Sequence, residues 1–276
     1  MLGQLIEAGA NVFRLNMSHS KHDWVREVVF RIRRKAAELK ANVAILFDLQ
    51  GPSIRTGDLM EPYHLKKGDT VEIRLGTAKP ELPFSTTVNY DGLLQDVQAG
   101  HTMVVDNGGI LMRIAEVRPD RLICDVLTEG VFGSRRHINL PGVALRLPAL
   151  TEKDLADLAV AVECETDYVA MSFVRDAAHI AQLREHIDNL GGKAQIVAKI
   201  EDQQAVRHID DIILAADVIM VARGDLGIEV SIEELPIIQR RILRHLVEHV
   251  RADIALDLRA RHGDEGIGLA VRVDAA

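Results

Sequence analysis

The feature that most constrains this chain is a rhythm: short, nearly continuous runs of Val, Ile and Ala, separated by stretches of helical periodicity. The runs fall at 11–17, 42–49, 168–174, 195–200 and 218–222, and the helical stretches at 21–40, 151–163, 176–190, 203–215 and about 232–250. Strands apolar on both faces that alternate with amphipathic helices belong to a parallel sheet covered on both sides. Either a doubly wound sheet or a (β/α)8 barrel meets that pattern. The rhythm breaks once. From 58 to about 140 the chain turns to short β-type runs at 70–75, 102–105, 110–117 and 121–126, with turn signals at Lys67-Gly-Asp69 and Asp106-Asn-Gly-Gly109. That segment reads as a small all-β unit. Because the alternation resumes beyond it, the unit is an insertion. The chain also opens in mid-pattern, since Met1 to Gly9 reads as a helix ending at a glycine cap with no strand before it.

Composition serves mainly to exclude. With 276 residues, 47% of them hydrophobic and 27% charged, the chain can bury a full core without covalent staples. Lys and Arg number 33 against 41 Asp and Glu, and this acidic balance argues against a nucleic-acid partner. Cys124 and Cys164 have no metal-ligand or disulfide-framework spacing, which fits a reducing, cytoplasmic setting. No apolar run approaches the ~18 residues of a membrane span.

The strand ends carry the chemistry. In the first run Arg14, Asn16 and Ser18 share one face, and Phe13, Leu15 and Met17 the other. One face thus turns polar toward the C-terminal end, where both candidate folds place their sites. The second run leads through Ala44 and Leu46 to Asp48 on one face, followed by Gly51, Pro52 and Arg55. Lys199 and Glu201 share a face at the end of another buried run, where charges are costly unless paired or used. Arg223-Gly-Asp-Leu-Gly227 ends a strand in a glycine-rich turn whose free N–H groups suit an anion. Glu201 and Asp225 could supply two carboxylates to Mg²⁺, which otherwise keeps water and substrate oxygens. Lys199, Arg14 and Arg55 would add positive charge at the same point, the set that a transferring phosphoryl group requires. The bland alternative is a network of ion pairs at a sheet rim, which is preferable for any one pair but not for four converging strand ends.

Other conspicuous residues weigh less. His19, His22 and His101 lack metal-ligand spacing, and His19 fits a ligand or loop contact better. Ser18 has no nucleophile-elbow context. Trp24 lies on a stripe with Val28 and Ile32 and is expected in the core, and Asp106-Asn-Gly-Gly109 suits a hairpin turn better than a phosphate loop.

Taken together, Arg14-Leu-Asn-Met-Ser-His19, Asp48-Leu-Gln-Gly-Pro-Ser-Ile-Arg-Thr-Gly57, Asn139-Leu-Pro-Gly142, Leu147-Pro-Ala-Leu-Thr-Glu-Lys-Asp154, Lys199-Ile-Glu201 and Val221-Ala-Arg-Gly-Asp-Leu-Gly227 closely resemble the pyruvate kinase family. The resemblance runs in order from the N-terminus to about Leu243. It implies an α/β fold, a partial (β/α)8 TIM barrel with an inserted all-β lid domain. The incomplete barrel would take 1–57 and 141–250, the lid 58–140, and an unmatched tail 251–276.

The resemblance also implies Mg²⁺-dependent (or Mn²⁺-dependent) phosphoryl transfer from phosphoenolpyruvate to ADP, giving pyruvate and ATP. Arg14 then resembles the substrate-phosphate arginine, and Lys199 the group stabilising the transition state. Glu201 and Asp225 resemble the divalent-metal ligands, with the backbone of Gly224 and Asp225 at the substrate carboxylate. Asn16, Ser18, Asp48 and the Leu49 carbonyl resemble a K⁺ site. Asn16, Met17, Ser18, His19 and Arg55 resemble the nucleotide side, with Arg136 of the lid where the family usually has a lysine.

Two departures accompany the match. Ser53 stands where K⁺-requiring members carry Glu, and Leu49-Gln50 replaces a common Thr-Lys pair, which leaves K⁺ dependence open. Residues 245–276 contain no Thr or Ser, so the family's Thr-Gln-Met-Leu strand does not follow. The five barrel runs are fewer than a closed barrel takes. The expectation is a truncated or frameshifted member with open strand edges, poor solubility and weak turnover. Family members are usually homo-oligomers. The alternatives are a non-catalytic phosphoenolpyruvate- or nucleotide-binding remnant, or a Mg²⁺-dependent lyase or aldolase stabilising an enolate.

Overall fold

The computed structural model describes residues 1–249 and 269–272. A short helix α1 (Leu2–Glu7) precedes β1 (Val12–Asn16), α2 (His22–Glu38) and β2 (Ala44–Asp48). The inserted part holds β3 (Tyr63–Leu65), β4 (Thr70–Arg74), β5 (Phe84–Thr87), α3 (Leu93–Asp96), β6 (Thr102–Val105), β7 (Ile110–Val117), β8 (Arg121–Val126), β9 (Gly130–Phe132) and β10 (Ile138–Asn139). The alternation then resumes with α4 (Glu152–Glu163), β11 (Tyr168–Met171), α5 (Ala177–Asn189), β12 (Gln195–Ile200), α6 (Gln203–Arg207), α7 (Ile209–Ala215), β13 (Val218–Val221), α8 (Arg223–Glu229) and α9 (Leu235–His249). A last strand, β14, spans Leu269–Arg272.

The principal sheet runs β1-β2-β11-β12-β13-β14. The first five strands pair in parallel, each beside the next barrel strand in chain order, with Asn16 opposite Asp48 and Lys199 opposite Met220. A doubly wound sheet reverses its order at a switch point. No reversal occurs here, so the strands walk one way as in a barrel. The inserted part forms a second sheet, β10-β6-β7-β8-β4-β5, beside a β3–β9 pair. It has its own core around Val71, Ile73, Met103, Met112, Ile114 and Phe132.

Strand phase divides the principal sheet into two faces. Under the helices lies the main core, including Leu15, Met17, Ile45, Phe47, Val169, Ile196 and Ile219. Leu46, Ala170, Val197 and Val218 form a separate apolar cluster on the other, concave face. Two residues further along the same strands, still on that face, stand Asp48, Ser172 and Lys199. The concave face is therefore apolar at its base and polar at the strands' C-terminal ends.

Several expectations are corrected. Of the expected stripe, Ile32 is buried and Val28 packs against the core, but Trp24 is 50% exposed, and α2 centres its buried face on Val25, Val29, Ile32 and Ala36. Both stripes have helical spacing, and contact with the sheet selects between them. The helix expected over 203–215 breaks at His208, whose Nδ1 lies 2.9 Å from the Arg175 carbonyl. The strand expected over 168–174 stops at Met171, because Phe173 takes a left-handed backbone at φ 55°. The free β13 edge expected from an open sheet is covered, since β14 pairs antiparallel along Val218–Val221. Asp106 to Gly108, all at positive φ, do form the turn between β6 and β7.

Candidate active site

The five parallel strands deliver their polar ends to one cavity of about 290 Å³, roofed by the β6–β7 turn and by Arg135 and Arg136 of the insertion. At its floor the Lys199 ammonium lies 2.7 Å from Glu201 Oε1 and 3.3 Å from Asp48 Oδ1, and donates to Ser172 Oγ at 2.8 Å. Burial pulls this ammonium's pKa down, but Glu201 and Asp48 outweigh it, so Lys199 stays charged with a raised pKa. Glu201 is 3% exposed, and burial pushes its carboxyl up to about 7, with Lys199 and the Phe173 N–H (2.7 Å) opposing.

Arg14 Nε donates to Asp48 Oδ2 at 2.6 Å. Asp48 is 2% exposed and its Oδ1 accepts no hydrogen bond. Asn16 and Ser18 turn the first loop inward, with the Ser18 N–H on Asn16 Oδ1 at 3.0 Å. Arg55 reaches the same cavity and donates from Nη1 to the Arg135 carbonyl at 3.0 Å. Arg136 Nη1 lies 3.3 Å from Asp106 Oδ1, while its Nε is buried with no partner. Asp225, in the first turn of α8, completes the wall, and its carboxylate makes no hydrogen bond or ion pair among the described residues. Burial and then Arg55 lower the pKa of His137, with Asp225 opposing.

Ten of the sequence-derived residues therefore meet: Arg14, Asn16, Ser18, Asp48, Leu49, Arg55, Arg136, Lys199, Glu201 and Asp225. Three do not line the cavity. The Met17 side chain is fully buried in the core, so only its backbone could meet a ligand. His19 is exposed and, like Gly224, lies outside the wall. The Leu49 carbonyl is already engaged by Ser172 Oγ at 2.7 Å, though a carbonyl has a second lone pair.

Sequence reasoning missed Ser172, Phe173, Asp106, Asn107, Arg135 and His137. Ser172 was detectable, since it follows Ala170 in phase at a strand's end. Phe173 was not, because its role rests on a left-handed backbone beside Gly51. Gly51 itself has φ 70°, and a Cβ there would lie 2.8 Å from the Phe173 ring.

The donors suit hard cations. Glu201 and Asp225 offer the two carboxylates that Mg²⁺ accepts while keeping water, and Asp48 Oδ1, which accepts no hydrogen bond though it lies 3.3 Å from the Lys199 ammonium, adds a further hard oxygen. No described helix is long and apolar enough to cross a membrane.

Consecutive parallel strands with a charged cavity at their C-terminal ends and an inserted β unit above define a barrel-type α/β protein with a lid. The pyruvate kinase barrel-domain family matches residues 1–255, beyond the Leu243 limit of the motif resemblance. The chain is 39% identical over 246 residues to plastidial pyruvate kinase 2 of Arabidopsis thaliana, covering 88% of this chain and 42% of that protein. It is 38% identical to pyruvate kinase of Clostridium perfringens (88% and 52% covered) and 36% identical to that of Mycobacterium tuberculosis H37Rv (90% and 52%). The chain belongs to the pyruvate kinase family. It spans about half the length of the curated relatives it matches.

Proposed function

We propose that this chain carries the site for phosphoryl transfer between phosphoenolpyruvate and ADP. The observation that carries the reading is Lys199, a charged ammonium at the end of a buried strand, between two carboxylates and facing Arg14 and Arg55 across one cavity. Transfer of a phosphoryl group asks for little covalent chemistry and much charge neutralisation. Lys199 is fixed before any ligand arrives, so it needs no reorganisation as negative charge spreads over the transferring oxygens.

Arg14 binds the phosphate of phosphoenolpyruvate, while Arg55 and Arg136 hold the nucleotide's phosphates. Asn16 and Ser18 orient the nucleotide side of the mouth. Asp48 bridges Arg14 and Lys199, offsetting the repulsion between the two cations. The backbone at Gly224 and Asp225 holds the substrate carboxylate. Glu201 and Asp225 would hold Mg²⁺, which when bound neutralises phosphate oxygens and polarises the substrate. Asn16, Ser18, Asp48 and Leu49 form the monovalent-cation set, for which K⁺ is the proposed ion.

The decisive experiment follows pyruvate formation from phosphoenolpyruvate, ADP and Mg²⁺, with and without K⁺. Turnover is expected, with Lys199→Met lowering kcat by about 10³-fold or more, the scale of a lost transition-state charge contact. Binding of both ligands with no pyruvate formed would favour a non-catalytic binding protein. Equal rates in the wild type and Lys199→Met would remove the assignment of Lys199.

A further inference from the structure

Three fully buried carboxylates lie outside the cavity among the described residues: Glu72, paired with Arg121 in the inserted unit, and Asp154 and Asp157, both in the first turns of α4. Asp154 closes a capping box with Thr151 and accepts the Gly51 N–H at 3.0 Å. Asp157 faces two side chains. Lys153 Nζ lies 2.6 Å from its Oδ2 and His22 Nε2 lies 2.7 Å from its Oδ1. Lys153 also donates to the Met17 carbonyl at 2.7 Å. The loop after β1 is therefore tied at both ends to one buried carboxylate and its exposed lysine partner, at Met17 on entry and at His22 where α2 begins. Between the ties stands Ser18, while Ser20 Oγ donates back to the Asn16 carbonyl at 2.7 Å. The neighbouring β2 loop is held by the adjacent residue of the same helix turn.

An ion pair whose cation is 41% exposed is a weak source of stability, so an apolar pair of similar volume would do about as well. What an apolar pair lacks is a donor for the Met17 carbonyl. We propose that Lys153, seated by Asp157 and His22, is a positioning residue: it fixes the loop carrying Asn16 and Ser18 by its bond to the Met17 carbonyl. The proposal rests on the reading of that loop as the nucleotide side of the site.

The test compares full-length wild type, Lys153→Met, Lys153→Arg and His22→Gln. It measures amide exchange over residues 16–22, melting temperature, and calorimetric affinities for ADP and for phosphoenolpyruvate with Mg²⁺. Lys153→Met is expected to speed exchange at the Ser18 and Ser20 amides by about tenfold. It should weaken ADP by about tenfold while phosphoenolpyruvate stays within a factor of about two. Lys153→Arg should restore most of both, and His22→Gln, at a partly exposed residue, should give a smaller change of the same sign.

Unchanged exchange in the loop overturns the proposal. So does equal weakening of both ligands with a lower melting temperature and faster exchange throughout α4, which would make the pair a brace of the whole fold. If Lys153→Met does not fold, His22→Gln and Lys153→Arg decide by the same readouts. If the wild type binds no ADP, the nucleotide reading fails, and loop exchange alone decides the role of Lys153.

Discussion

Gly51 shows how a single missing Cβ can set the site. Its positive φ and the Phe173 ring 2.8 Å from any added Cβ leave no room for a side chain. Phe173 in turn takes a left-handed backbone, and its N–H holds Glu201. Gly51→Ala is therefore expected to lower stability by about 1–3 kcal/mol through strain and steric clash. It should also loosen Glu201. Chemical denaturation measures the first effect, and an unchanged midpoint would show that the loop relaxes freely. The residue types at the strand ends were legible in the sequence, because Arg14, Asp48, Lys199 and Glu201 break runs that should be apolar. Phe173 was not legible, since a left-handed aromatic residue leaves no compositional trace.

At the scale of elements, α2 illustrates the limit of periodicity. Its sequence offers two stripes one residue apart, and only contact with the sheet buries Val25 and Val29 rather than Trp24. Trp24→Ala should cost less than about 1 kcal/mol, whereas Val29→Ala should cost about 1–3 kcal/mol. A larger loss for Trp24→Ala in urea unfolding would reverse that assignment.

Helix α8 carries a second test. Burial, reinforced by the like charge of Asp202, pushes the Glu229 carboxyl up to about 7, with Gly142 and Asn139 opposing. The folded-state value lies above the ordinary 4.5, so the native chain binds this proton more tightly than the unfolded chain does. That contribution is complete below about pH 4.5 and is lost as pH rises toward 7. Glu229→Gln, neutral at every pH, should match the wild type near pH 4.5 and exceed it by on the order of 1 kcal/mol at pH 8. Melting curves across that range check the sign, and a variant less stable at pH 8 would contradict it.

For the whole molecule, the question is how a sheet of five parallel barrel strands ends. On the β13 side it ends in β14, an antiparallel strand that takes up the edge hydrogen bonds of Val218–Val221. An uncovered apolar edge is a template for association. Amides of β13 should therefore be protected from exchange in the full chain. In a chain ending at residue 268 they should exchange faster, with more self-association in sedimentation. Equal protection in both chains would mean that β14 contributes nothing to the edge.

The sequence by itself determined what local chemistry can determine. Strand and helix types followed from hydrophobic period, the inserted β unit from a change of period, and the chemistry of the site from charges that interrupt buried runs. Its motifs also reached the family, because several short patterns in one order carry far more information than any one of them. The tertiary structure decided everything that depends on which elements touch. It chose the one-way strand order over a switch point, the buried stripe of α2, the left-handed turn at Phe173, the antiparallel strand on β13 and the tie from Lys153 to Met17. Each is a contact between residues distant in the chain. Its energy depends on geometry that no local pattern encodes.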